Sequence, residues 1–254
     1  MTTISNRDIP LPMAELAERQ IKILKSIIDE YIATALPVGS NTLEKKYNLG
    51  ISPATIRNEM VQLTKDGYLK KVHSSSGRMP TPRALRFYVN NLMKAQEMSL
   101  ADEVAVKEKV WDHRHEPDKL LRDMTRELAQ RTKELAIATT DQGDIYSCGM
   151  ANILESPEFF DIDLTKALLS HLDEMDFWLE LINRPATGGT IEFLLGTDLG
   201  DNLFEPCGFI YRRFEVGPRK GVIGVIGPAR VNYNRIFPTI KYFGELIDEM
   251  FKGW

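Results

Sequence analysis

Residues 40–69 read SNTLEKKYNLGISPATIRNEMVQLTKDGYL, and this stretch decides the fold of the N-terminal part of the chain. Ser40 can N-cap a short helix through Tyr47, residues 48–50 make a tight turn, and Ser52-Pro53 supply the N-cap and first position of a second helix. Two short helices joined in this way form a helix-turn-helix. In the second helix Ile56, Met60 and Leu63 recur at i, i+4, i+7 and turn inward. Thr55, Arg57, Asn58 and Gln62 are then left on or beside the face that would meet a DNA groove.

Upstream, Leu24, Ile27, Ile28 and Tyr31 mark a first long helix that ends near Thr34, before Leu36-Pro37. Residues 1–13, with Pro10 and Pro12, lack periodicity and read as a mobile arm. Downstream, Asp66-Gly67 closes the second short helix, Tyr68 to Val72 reads as a strand, and a small polar loop runs from His73 to Arg78. A hairpin wing in this place can lay Lys70, Lys71, His73 and Arg78 along phosphates, and small serines such as Ser75 permit close approach. Thr81-Pro82 starts a further helix with Leu85, Tyr88, Val89 and Leu92 on its apolar face. Residues 14–95 thus read as a winged helix-turn-helix domain. Arg57 can contact guanine in bidentate fashion, and Asn58 or Gln62 adenine. Ser40, Thr42, Lys45, Lys46, Ser52, Lys70, Lys71 and Arg78 are phosphate candidates. A solvated helix face is the alternative for Lys45 and Lys46, and service to their own helix termini is the alternative for Thr42 and Thr55.

The net charge of −4 over 254 residues conceals an asymmetry. Residues 1–95 hold 14 Lys/Arg against 8 Asp/Glu, whereas the remainder holds 18 against 28. A local basic surface attracts a polyanion while an acidic remainder keeps the protein soluble. The two cysteines, Cys148 and Cys207, show no metal or redox spacing and read as buried free thiols. Without a signal-peptide pattern or an apolar run of membrane-spanning length, the expectation is a soluble, cytoplasmic protein with no membrane partner.

Residues 96–134 are charged and helix-prone, with a break near His113 to Pro117, and read as a helical connector. Its stripe of Leu121, Met124 and Leu128, continued by Leu135, suits either core or a dimer seam. Residues 135–254 alternate strands and helices: strands at 135–140 and 145–149, and a helix carrying Leu164, Leu168, Leu172, Met175 and Leu179 inward. Further strands follow, one with Ile191, Phe193 and Leu195 alternating, then 208–216 and 221–226. A last helix from about Asn232 to Phe251 carries Ile236, Ile240, Phe243 and Ile247. The expected class is α+β, with a mixed or antiparallel sheet covered by helices. Gly221, Gly224 and Gly227 lack the following Gly-Lys-Ser/Thr of a phosphate loop and suggest close packing. His113 and His115 have no third ligand nearby, Asp161 and Asp163 read as turn residues before a helix, and no nucleophile and base form a recognisable pair. The expectation is no metal, no cofactor and no enzyme.

Residues 37–81, PVGSNTLEKKYNLGISPATIRNEMVQLTKDGYLKKVHSSSGRMPT, resemble the winged-helix reader of the heat-inducible transcription repressor family HrcA. Residues 146–160, YSCGMANILESPEFF, and 221–235, GVIGVIGPARVNYNR, resemble two later motifs of that family. The resemblance implies a winged helix-turn-helix followed by a GAF-like α/β domain over 135–254. It also implies a homodimer that represses chaperone genes from an inverted repeat in double-stranded DNA, with activity dependent on the chaperonin. Family members typically insert a dimerising subdomain into the GAF-like domain, whereas here residues 135–140 reach Tyr146 through a short turn that leaves no room for it. Two other readings stand beside this one: a regulator controlled by a small-molecule ligand in the GAF-like domain, and an enzyme domain tethered to a DNA reader.

Overall fold

The structure is a computed structural model that describes residues 16–71, 77–185, 190–216 and 218–251. The chain divides into two compact units, Met1–Met93 and Lys94–Trp254.

In the first unit α1 (Glu18–Thr34), α2 (Ser40–Tyr47) and α3 (Pro53–Lys65) are followed by a hairpin of β1 (Leu69–Lys71) and β2 (Arg78–Pro80), then by α4 (Pro82–Asn91). Ile23, Leu24, Ile27 and Ile28 of α1 are fully buried, together with Leu43, Ile56 and Leu63 from the two shorter helices. α1 stops where Ala35 turns left-handed and returns its N–H to the Tyr31 carbonyl at 2.9 Å. β1 and β2 pair antiparallel, and Val38 bridges Arg78 on the hairpin's other side. Thr81 caps α4 by accepting from the Ala84 N–H, and the Tyr88 hydroxyl donates to Asp29 at 2.9 Å.

Two sequence expectations change in this unit. Gly39, not Ser40, is the N-cap of α2; Ser40 is its first helical residue and is buried. Lys46, read as a phosphate candidate or a solvated lysine, is ion-paired: its Nζ donates at 2.6 Å to Glu30, a buried carboxylate on α1 that also accepts from the Tyr47 hydroxyl at 3.2 Å. Burial and the Glu30 charge push the Tyr47 hydroxyl up to about 12. A carboxylate taken from water needs such partners.

The second unit is built on a five-stranded sheet in the order β4-β3-β7-β6-β5, with every neighbouring pair antiparallel. The strands are β3 (Leu135–Thr140), β4 (Ile145–Cys148), β5 (Glu192–Leu195), β6 (Cys207–Val216) and β7 (Arg219–Pro228). Preceding them are α5 (Leu100–Trp111) and α6 (Pro117–Thr132). Between β4 and β5 lie α7 (Met150–Ile153), α8 (Ile162–Leu172) and α9 (Met175–Asn183), and α10 (Tyr233–Phe251) ends the unit. α6 and α10 cover one face of the sheet, with Phe193 of β5 against Phe237 of α10. On the other face Leu135, Ile137, Phe209 and Tyr211 form one core with Leu164, Leu168 and Trp178 of α8 and α9. The space between the sheet and these two helices is filled by rings: Trp178 meets Phe209 edge to face, Phe209 stacks on Tyr211, and the Trp178 indole donates to the Leu172 carbonyl at 2.8 Å.

This α+β arrangement with an antiparallel sheet is consistent with a GAF-like domain. Three details differ from the sequence expectation. Residues 96–134 are not a separate connector: they form α5 and α6 of the second unit, and Leu121, Met124 and Leu128 are buried in it. The helix drawn through Leu164 to Leu179 is two helices, broken at Asp173-Glu174, so that Trp178, Leu181 and Ile182 are buried in place of Leu179. On β5 burial does not alternate as expected: Glu192, Leu194 and Leu195 are buried, while Ile191 and Phe193 are half-buried, Phe193 against Phe237. Glu192 tolerates this because Arg213 Nε donates to it at 2.5 Å and the Tyr211 hydroxyl lies at 3.3 Å. The β7 glycines pack closely: a Cβ at Gly224 would run into the Ile210 carbonyl, and one at Gly221 into the Thr139 carbonyl and the Phe214 ring.

Lys46→Ala is expected to lower stability by about 1 kcal/mol, because it leaves the Glu30 carboxylate with Tyr47 alone, whereas Lys45→Ala leaves stability unchanged; chemical denaturation of the two variants side by side measures this. A second expectation concerns Glu134, whose carboxylate abuts Gly227. Burial pushes its carboxyl up to about 8, with Glu158 and Glu155 adding to the rise and Arg230 opposing it. Between an unfolded value near 4.5 and that raised value the native state keeps a proton that the unfolded chain has lost. Its contribution is therefore fully present below the unfolded value and disappears as pH rises through about 8. Glu134→Gln keeps a neutral side chain of the same shape, so the fall in unfolding midpoint on this limb should be shallower in the variant than in the parent.

Candidate nucleic-acid interface

α3 begins with Ser52, whose hydroxyl accepts from the Thr55 N–H at 3.2 Å, and with Pro53 in its first turn. The Thr55 hydroxyl lies 3.0 Å from the same Ser52 oxygen, so both polar groups serve the helix start. Burial of Ile56, Met60 and Leu63 sets the rotation of the helix and turns Arg57, Asn58, Val61 and Gln62 to the outside. Arg57 and Asn58 are exposed and make no side-chain hydrogen bond or ion pair among the described residues, so all their donors remain available. Gln62 donates its amide to Asp66 at 2.9 Å, which leaves its carbonyl oxygen as the open group.

Arg57 also lines a polar cleft of about 240 Å³ with Ser40, Asn41, Thr42 and Arg78. The cleft lies at the N-terminal end of α2, where backbone N–H groups without helical partners favour an anion. Arg78 reaches it from β2, but its guanidinium is turned inward: Nε donates to the Thr64 hydroxyl and Nη1 to the Gly77 carbonyl, both at 3.2 Å. It braces the hairpin against the end of α3 rather than lying along the wing. Lys45 is exposed at the end of α2, Lys70 is half-buried on β1 and Lys71 is exposed beside it. His73 and Ser75 lie outside the described residues.

The structure thus gathers Ser40, Thr42, Arg57 and Arg78 about one cleft, keeps Asn58 and Gln62 on the adjoining outer face, and commits Lys46, Ser52 and Thr55 to the fold. Sequence reasoning passed over Asn41 and Val61. Val61 follows Asn58 by three positions and was legible as part of the same face; Asn41 had no signal apart from its place in the first turn of α2.

Cys207 is buried and its thiol is pushed up to about 12 by burial and the Glu158 charge, whereas Cys148 is half-buried and both are free thiols. His113 Nδ1 sits 2.6 Å from Asp123, and Asp161 caps α8. Among the described residues no group of three His, Cys, Asp or Glu is placed to hold a metal, and no helix is long and apolar enough to cross a membrane.

The family profile described as HrcA protein C terminal domain matches residues 56–237. A heat-inducible transcription repressor HrcA of Clostridium tetani is 28% identical over 341 residues, covering 94% of this chain and 96% of that protein. The protein of the same name from Clostridium acetobutylicum is 47% identical over 120 residues, 47% of this chain and 35% of its own length. An alignment of 341 positions admits a 254-residue chain only with long gaps opposite the relative. A solved structure described as a hypothetical protein at 2.2 Å resolution superposes with a TM-score of 0.73 over 94% of this chain and 99% of that one, and at 18% identity this likeness shows the shared fold. Since the family match runs from α3 of the first unit to α10 of the second and takes in well over half of the residues, the chain belongs to the HrcA family.

Proposed function

We propose that this protein is a transcriptional repressor of heat-shock genes. Its first unit is a winged helix-turn-helix that reads an inverted-repeat operator in double-stranded DNA, and it acts as a homodimer whose activity depends on the chaperonin. The observation that carries this is α3: a helix capped at Ser52, anchored by three inward apolar residues, and presenting Arg57 and Asn58 with unspent hydrogen-bonding groups. α3 is the recognition helix and the hairpin β1–β2 is the wing. Arg57 supplies a bidentate donor pair for guanine and Asn58 the donor and acceptor for adenine, each worth about 1–3 kcal/mol of discrimination, while Val61 offers an apolar contact to a thymine methyl. Lys45, Lys70 and Lys71 supply phosphate contacts, which give affinity and salt dependence without sequence information. The family's relatives bear the name heat-inducible transcription repressor, which supports the regulatory role.

A dimer on a palindrome spaces its two recognition helices about 34–36 Å apart, in successive major grooves. The GAF-like second unit is the part assigned to pairing and signal reception. Regulation by a small molecule held between the sheet and α8 and α9 draws no support from that region, which side chains fill.

Fluorescence anisotropy on an inverted-repeat duplex and a scrambled duplex, at two salt concentrations, tests the reading. The repeat should be preferred by about three orders of magnitude or more, and Arg57→Ala should erase that preference while leaving weak, salt-dependent binding. Equal and weak binding to both duplexes that persists after addition of chaperonin would remove the operator assignment.

A further inference from the structure

α5, α6, α10 and the chain segment before α5 border a cleft of about 450 Å³ in the second unit. That volume lies within the range of small-molecule sites. Two arginines line it from different helices, Arg131 in the last turn of α6 and Arg235 in the first turn of α10. They are held as neighbours, since Arg235 Nη2 donates to the Arg131 carbonyl at 2.6 Å. Asp102 accepts from Arg131 Nη1 at 2.6 Å and from the Ser99 hydroxyl at 2.7 Å, and these bonds hold its carboxyl below the usual carboxylate range. One bonded carboxylate therefore answers two guanidiniums, with Glu97 exposed at the rim. The Arg131 guanidinium is paired with Asp102 through Nη1, but its Nε is buried and has no hydrogen-bond partner among the described residues. An N–H left unpaired away from water is costly unless something satisfies it.

We propose that this cleft binds a phosphate-bearing small molecule, with the phosphate group between Arg131 and Arg235. A planar carboxylate is satisfied by a single guanidinium fork, whereas N–H groups arriving from two separate helices suit a tetrahedral oxyanion with several acceptor atoms. The volume leaves room for more than the phosphate. The segment from Gln96 to Ser99 also lines the cleft, pinned where the Gln96 N–H donates to the Asn234 carbonyl at 2.9 Å and where Ser99 caps α5. This segment opens the second unit directly after the first in the chain. A ligand in the cleft therefore touches the segment that follows the first unit, and any effect on DNA affinity rests on the repressor reading.

Isothermal titration of the full chain with inorganic phosphate, inorganic pyrophosphate and ADP, at constant ionic strength, tests the site without DNA. Its failure therefore leaves the repressor reading standing, and the reverse also holds. The expected result is saturable binding of at least one probe, weakened about tenfold or more by Arg235→Gln and unchanged by Arg126→Gln, an exposed arginine elsewhere on α6. Tighter binding of ADP than of phosphate assigns the phosphate to a nucleotide, and equal binding assigns it to the free anion. Arg131→Lys, which keeps the charge near Asp102 but removes Nε, should weaken binding too and serves if Arg235→Gln does not fold. No saturable binding of any probe, or parental binding by both variants, overturns the proposal. Displacement of bound pyrophosphate by random-sequence duplex DNA overturns it as well, by giving the two arginines to nucleic acid.

Discussion

Burial of Ile56, Met60 and Leu63 fixes the rotation of α3 about its axis, and the rest of the candidate interface follows from that angle. A helix has no other means of deciding which side chains it shows, because residues three and four apart share a face and the opposite face is thereby determined. α1 supplies the surface that α3 is turned against, with four fully buried aliphatic residues. Around this contact the polar side chains fall into two groups. Glu30 with Lys46 and Thr64 with Arg78 are bonded across element boundaries, joining α1 to α2 and α3 to the hairpin. Among the described residues Arg57 and Asn58 make no side-chain hydrogen bond or ion pair.

The second unit obeys a different constraint. β3 is buried along its whole length and β7 nearly so, because helices cover both faces of the sheet. Large side chains cannot stand at every position of such a layer, and the glycines on β7 give way to the Thr139 and Ile210 carbonyls and to the Tyr211 and Phe214 side chains of the flanking strands. Charges that enter this interior are paired at Glu192 with Arg213 and at Glu158 with Arg230, while burial keeps the Glu134 carboxyl protonated to higher pH.

Local grammar was legible in the sequence where it is self-contained. The cap at Ser52-Pro53, the cap at Thr81-Pro82, the apolar periods of α1, α3 and α10, and the glycine packing on β7 need only neighbouring residues to be read. What escaped depends on partners far along the chain. Lys46 reads as a surface lysine until Glu30, sixteen residues earlier, is seen to need it. Arg78 reads as a wing cation until Thr64 accepts from it. β5 does not alternate because Arg213, from another strand, makes burial of Glu192 tolerable and α10 covers Phe193 on the opposite face. The break at Asp173-Glu174 carries neither proline nor glycine, so apolar spacing ran through it unchecked. The stripe of Leu121, Met124 and Leu128 on α6 was legible, but not which surface it meets, because the strands it packs on come later in the chain.

The register of β3 has a consequence for how the chain acquires its structure. Leu135 to Thr140 lie beside Ile226 to Gly221, so a strand buried on both faces draws its second neighbour from a segment synthesised roughly 80 residues later. The first unit precedes it in the chain, and β3 waits on the order of several seconds of synthesis with only the short β4 alongside. During that interval an apolar strand edge stands open to any other extended chain.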